Sequence, residues 1–299
     1  MRLAINEWPG FAYFRLAERQ SSIDRSLLRL RIASFRNPVD QIGRYIEGDA
    51  DAVALTLGDT LLICSRVPDR CPVIVFVIDE SRGGDQLLGR PGFETMPSLR
   101  GQAIGLEDSA LAYYLIHRFF ERAELALPEP SQLRIAPQEA FAGMLRSGQI
   151  KAVLTYPPTA TQLRRSMDLR PLISSQSLPG EVLDVLAVSP DYLRRHPRAV
   201  AALIEAWRRA RCQEQNSPDT VLIQMASLLG MPEDELRQVQ KGLLFPGNQD
   251  QYLMLRPDGG NLREVLGRHH NLLVRIGQIR PDSPLPRLES GFIFPAPTE

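Results

Sequence analysis

Glu107 and Asp108 stand immediately before Ser109 in GLEDSALAYYLI, where a short strand runs into the first turn of a helix. A helix start presents unpaired N–H groups and the positive end of the macrodipole, so it attracts anions unless the chain supplies negative charge. Ser109 or Asp108 would suffice as the cap. Glu107 is surplus to that need, and a surplus carboxylate suits an amine or another N–H donor. Other residues offer recognition chemistry at the ends of apolar runs. Trp8, beside Pro9-Gly10, offers a ring for stacking, with Phe11 close by. Thr56 and Asp59 follow a strand, at the carboxyl end where open α/β sheets bind ligands, although Asp59 equally suits a helix cap. Asp79 and Glu80 end a long apolar run, Tyr156 follows IKAVLT, and Glu181 and Asp184 flank another strand.

Catalytic and metal chemistry find less support. The sequence lacks Gly-x-Ser-x-Gly, the P-loop and the dinucleotide fingerprint, so no catalytic residue and no cofactor is assigned. His269-His270 suggests a metal pair, but His269 falls on the apolar stripe of its helix and His270 off it, which reads as a core residue beside a surface one. Cys64, Cys71 and Cys212 match no zinc or redox spacing and read as small buried hydrophobes.

The elements that must position these residues alternate. Strands are expected at MRLAI, LLRLRIAS, ADAVALTL and CPVIVFVID, with helices between them, including one opened by Pro38 and closed near Gly48. SRGGDQLLGRPG breaks the series. A second, shorter series then restarts: QAIGL, the helix from Ser109, SQLRIA, the helix QEAFAGMLRSG, and IKAVLTY. LRPLISS and EVLDVLAVS return to strand character, and from Pro190 the chain is mostly helical, ending in a Pro-rich surface wrap from Pro281. Such alternation predicts an α/β fold with a largely parallel sheet. The 299 residues, 43% hydrophobic and 23% charged, suffice for one large or two medium domains. Thirty-five basic and 35 acidic residues balance, which disfavours a nucleic-acid or anionic-membrane surface. No apolar run reaches the ~18 residues of a membrane span.

The order of these pieces resembles the type II periplasmic substrate-binding proteins of ABC transporters, in the branch that includes nitrate, sulfonate and taurine binders and thiamine-pyrimidine-precursor proteins. The likeness covers nearly the whole chain. It rests on NEWPGFAYFRLAE after the first strand, GDADAVALTLGDTLL, LRGQAIGLEDSALAYYL, AFAGMLRSGQIKAVLTYPP and SPDYLRRHPRAVAALIEAW, in that order.

The resemblance implies a two-lobed clamshell with two hinge crossings. One lobe would be residues 1–85 plus 182–299, and the other an inserted block, 86–181. The crossings would lie at Asp79–Gly84 and Gly180–Asp184, and the ligand would bind between the lobes. That layout would gather Asp79, Glu80, Glu107, Asp108, Glu181 and Asp184 around one cleft, with Trp8, Phe11, Thr56, Asp59, Ser109 and Tyr156. Anion-binding relatives carry small hydroxyl and glycine residues at the corresponding helix start, so the acids here favour a neutral or amine-bearing ligand such as an aminopyrimidine. The expected role is a monomeric, non-enzymatic solute-binding protein serving an ABC permease, periplasmic if a signal peptide has been removed and otherwise cytoplasmic. A ligand-sensing receptor domain on the same fold is the alternative, and a thiamine-precursor enzyme, whose Cys/His iron motif is missing here, ranks below it.

Overall fold

The structure, a computed structural model, describes residues 1–20, 23–256 and 260–293. VIVFVIDES, the strand β4, is buried at every one of its nine positions. A strand can bury both faces only when helices cover both, as in a doubly wound sheet. The first sheet forms accordingly. Strand β1 (Arg2–Ile5) leads to helix α1 (Ala12–Arg19), β2 (Arg31–Ser34) to α2 (Pro38–Ile46), and β3 (Ala52–Thr56) directly into α3 (Leu57–Arg66), followed by β4 (Val73–Ser81).

The second series is β5 (Gln86–Gly89), β6 (Ile104–Leu106), α4 (Ala110–Arg122), β7 (Leu133–Ile135), α5 (Gln138–Arg146), β8 (Ala152–Thr155), α6 (Thr159–Met167) and β9 (Arg170–Ser174). Strand β10 (Leu183–Val188) then returns between β3 and β4, antiparallel to both. Helices α7 (Pro190–Arg195), α8 (Pro197–Asn216), α9 (Pro218–Leu229), α10 (Glu233–Gln240), α11 (Asn248–Leu255) and α12 (Asn261–Arg275) follow, with short strands β11 (Leu243–Leu244) and β12 (Arg287–Leu288) on β4. The seven-stranded sheet runs β11-β4-β10-β3-β1-β2, with β12 also on β4, and the five-stranded one β7-β6-β8-β5-β9. The chain crosses between them twice, through residues 82–85 and 175–182.

Period-2 alternation explains how the small sheet is filled. Leu87 and Leu154 face one cluster with α4, while Leu88 and Val153 face another with α5 and α6. The larger sheet shares one core with the C-terminal helices. Trp207 on α8 is buried there, donating Nε1–H to the Gly10 carbonyl at 3.1 Å, its ring edge-on to Phe76 at 5.1 Å. Among the described residues no helix is long and apolar enough to cross a membrane.

Three expectations need correction. The stretch SRGGDQLLGRPG contains β5, whose four residues between glycines are too few to display a period. TATQLRRSM, passed over in the sequence, forms α6. Cys64 and Cys71 are joined in a disulfide, and Cys212 is exposed, so none of the three is simply a buried hydrophobe. The end of the Pro-rich tail, 294–299, lies outside the described residues.

Candidate functional site

Two helix starts meet between the lobes. Helix α3 begins at the end of β3 with Thr56 as its cap: Asp59 N–H donates to Thr56 Oγ1 at 3.2 Å, and Thr56 Oγ1–H donates back to Asp59 Oδ2 at 2.8 Å. This reciprocal box fixes the Asp59 carboxylate. Its other oxygen, Oδ1, accepts the N–H of Ala110 at 2.8 Å, at the first turn of α4 in the opposite lobe. Ser109 caps α4 by accepting from Ala112 N–H at 3.0 Å. The negative charge on the α4 start therefore comes from Asp59 across the cleft, and Glu107 is free for something else. The approach is tight: a Cβ on Gly58 would lie 2.6 Å from His269 Nδ1 and 3.4 Å from the Ala110 Cβ.

Glu107 turns towards β8 and α5. Its Oε2 accepts from Tyr156 O–H at 3.0 Å and from Gln138 Nε2–H at 3.2 Å, while Thr155 O–H holds Gln138 Oε1 at 2.7 Å. Its Oε1 is buried without a hydrogen-bond partner. Tyr156 meets the Trp8 ring edge-on, centroids 6.0 Å apart. The Trp8 indole donates to both oxygens of Asp79, at 3.1 and 3.2 Å. Asp79 and Asp184 are directly opposite on β4 and β10, and both side chains are buried. Gly10 makes room for this, since a Cβ there would fall 1.8 Å from Asp79 Oδ2.

A cavity of about 40 Å³ remains between these groups. That is room for roughly three waters. Trp8, Phe11, Thr56, Asp59, Glu107, Ser109, Tyr156 and Asp184 line it, all expected from the sequence. Asp79 stands behind Trp8 and Asp184. Glu80, Asp108 and Glu181 are elsewhere. Glu80 accepts from Arg82 Nε at 2.8 Å and Gly180 N–H at 2.7 Å, tying the two crossings. Asp108 is exposed and accepts from Tyr113 O–H at 3.1 Å. Glu181 is held by Arg118 and Tyr114 on the far flank of α4. Sequence reasoning missed Asp85, inside the stretch read as a break, and Gln138. Gln138 opens a helix after a strand, a position that strand-end logic could have flagged.

The charged residues lining the cavity, Asp59, Asp85, Glu107 and Asp184, are all acids. Burial pushes Asp59 and Asp85 up to about 6, against the bonds that favour their ionised forms. Burial likewise pushes Glu107 up to about 7, opposed by the Gln138 and Tyr156 bonds. Asp79 and Asp184 are both raised, by burial first, with Asp184 further raised by the neighbouring Asp79 charge. Among the described residues no group of three or more His, Cys, Asp and Glu side chains could hold a metal ion.

A larger groove of about 840 Å³ opens beside the hinge between α6 and α10, crossed by ion pairs from Arg165 to Asp234 and Glu235. Its Arg164 and Arg170 side chains are exposed to water, whereas the four acids of the smaller cavity are buried. Ligand recognition is better served by the buried set.

No protein-family model matches the sequence, and no curated protein matches it. Solved structures do match. The chain is similar to the periplasmic aliphatic sulphonate binding protein SsuA from Escherichia coli, with a TM-score of 0.78 and 12% identity over 98% of each chain. The ligand binding component of an ABC-type import system from Staphylococcus aureus, with zinc bound, aligns at a TM-score of 0.76 and 13% identity, over 98% of this chain and 97% of that one. The Candida albicans CA3427 gene product, described as having the generic periplasmic binding protein fold, aligns at 0.72 and 11% identity over 97% of each. These likenesses establish the fold, the α/β two-lobed clamshell of type II periplasmic binding proteins.

Proposed function

We propose that this chain is a solute-binding protein that closes its two lobes over a small neutral or amine-bearing molecule, aminopyrimidine-like in its N–H donors, for ABC-type uptake. The observation that carries the reading is Glu107 Oε1, buried and without a partner at a cavity whose charged lining residues are all acids. An N–H donor supplied by a ligand satisfies that oxygen, and a buried acceptor left unmet costs about 1–3 kcal/mol. Asp59 already occupies the α4 start, which removes the attraction a helix N-terminus holds for sulfonate or nitrate. In ligand terms the chain thus departs from the sulfonate and nitrate branch it resembles in motif order. The lobes are residues 1–85 plus 182–299 and 86–181, and the protein acts as a monomeric receptor without catalysis. The Cys64–Cys71 disulfide supports an oxidising compartment outside the cytoplasm.

Calorimetric titration against aminopyrimidines, polyamines, sulfonates and nitrate tests the reading. An amine-bearing member binds the wild type, and Glu107→Gln weakens it roughly tenfold or more, as loss of a charge-assisted hydrogen bond requires. Tight sulfonate or nitrate binding by the wild type would overturn it.

A further inference from the structure

Asp79 and Asp184 carry a requirement of their own. Two carboxylates side by side and out of water cannot both stay ionised, so the pair holds a proton between them. Both side chains are buried, on paired positions of adjacent strands, and Asp184 lines the cavity with Asp79 behind it. The groups around the pair supply little positive charge. Trp8 gives Asp79 an N–H, and Asp59, Asp85 and Glu107 add negative charge from α3, the first crossing and the α4 entry. Tyr156, on the β8 side, donates to Glu107 and is neutral. Arg211, on α8, acts on Asp79 only at a distance, being ion-paired to Glu214 and set over the Phe245 ring at 3.9 Å. His269 on α12 is buried and held neutral, and Arg118 is committed to Glu181.

We propose that the cavity takes a compact cation with N–H donors, an ammonium or amidinium head group, in exchange for the proton that Asp79 and Asp184 share. The inference rests on the capture function above and names its substrate class and its coupling. In the exchange the O–H bond of the shared proton breaks and the proton passes to solvent. The cation's N–H groups then donate to Asp184 and to Glu107 Oε1. One positive charge enters as one leaves, so the buried site keeps its net charge and avoids the cost of an uncompensated buried ion. The volume sets the size limit. About 40 Å³ admits a head group of a few heavy atoms, with any larger body accommodated only by lobe opening.

The test is calorimetric titration of the full chain with methylammonium and guanidinium at about pH 8.5, where Glu107 is ionised, in buffers of different ionisation enthalpy, with urea as the uncharged counterpart of guanidinium. A cation binds the wild type and releases close to one proton. Its affinity rises with pH by up to about tenfold per pH unit while the pair remains protonated. Asp184→Asn keeps the side-chain shape, places an amide beside Asp79 and abolishes both the proton release and the pH dependence; Asp79→Asn serves as the second variant should the first unfold. A second readout needs no ligand: at about pH 8.5, where Glu107 is ionised, the infrared carbonyl band of a buried protonated carboxyl is present in the free protein and lost in either variant.

Cation binding with buffer-independent heat, or absence of that infrared band, overturns the exchange and leaves the capture function standing. Binding of urea without either cation overturns the cationic ligand class while a neutral ligand survives. Binding of sulfonate or nitrate overturns the capture reading itself, and failure of both cations and urea to bind overturns the exchange.

Discussion

Helix α4 has an acid set on each flank, and the two are built in opposite ways. On one flank Glu181 accepts from Arg118 Nε at 2.9 Å, Arg118 Nη2 at 3.0 Å and Tyr114 O–H at 2.5 Å, while the Tyr114 ring stacks on His269 with centroids 3.6 Å apart. Burial pushes the Glu181 carboxyl up, but the Arg118 fork and the Tyr114 hydroxyl together hold it below its ordinary value. Across the helix start, Asp59, Asp85, Glu107 and Asp184 surround a cavity with neither lysine nor arginine among its lining residues, and every one of them is pushed up. One arrangement closes its charge account within the protein. The other leaves protons or a ligand to do so, which separates a structural strap from a candidate recognition site.

The largest effect should come from pH. Asp59, Asp85 and Glu107 have folded values above their unfolded ones, so their contribution to stability is full below about pH 4 and is lost as pH rises through about 6 to 7. His269 works the other way. Burial lowers it to about 4, so its contribution is present above its ordinary value and lost as pH falls towards 4. Three acids and the Asp79–Asp184 pair outweigh one imidazole. The ligand-free protein should therefore lose on the order of 4 kcal/mol, or about 10 °C in Tm, between pH 4 and pH 8. Circular-dichroism melts across that range provide the check, and a Tm that climbs over the interval would mean the cavity acids are compensated like Glu181.

Single substitutions should divide the two flanks by a smaller margin. Arg118→Met strips Glu181 of its partner and should cost about 1–2 kcal/mol at pH 7, less than a fully buried pair would because Arg118 is partly exposed. Glu107→Gln should cost nothing at pH 8 and can stabilise the free protein there, since it removes a buried charge and keeps an acceptor for Tyr156. Urea denaturation of both variants at pH 8 measures the difference. Equal losses would erase the distinction between strap and site.

What the sequence made legible follows the range of each interaction. Glu107 and Ser109 stood out because a helix start has a local signature, and the strands of the larger sheet announced themselves as apolar runs. Asp85 did not, because its place is fixed across the crossing, its N–H donating to Ser81 Oγ at 3.3 Å and its carbonyl accepting from Ser175 N–H at 2.9 Å, a contact only the fold brings about. The partner of Glu181 was hidden for a similar reason: Arg118, 63 residues away, sits on a helix whose packing only the fold determines. Asp59 was read as a ligand contact or a helix cap; beside Thr56, which caps α3, it braces its own helix start, and through Ala110 N–H it also accepts from the opposing one. Local pattern can reveal the first role and has no access to the second.

The smallest expected signal is optical and bears on which flank closes on a ligand. Trp8 lies against the cavity with its N–H on Asp79, whereas Trp207 is buried among Phe76, Tyr13 and Phe245 in the core of the larger lobe. A cation placed beside the Trp8 ring, or a change in the charge of Asp79, alters the electrostatic environment of that indole alone. Intrinsic fluorescence should therefore respond by roughly a tenth or more to a bound amine, the size expected when one of two indoles changes its surroundings. Trp8→Phe should abolish most of that response and Trp207→Phe should preserve it. Were Trp207→Phe to remove the response and Trp8→Phe to leave it intact, the ligand would act through the helical core, and the acids between α3 and α4 would lose their claim to the site.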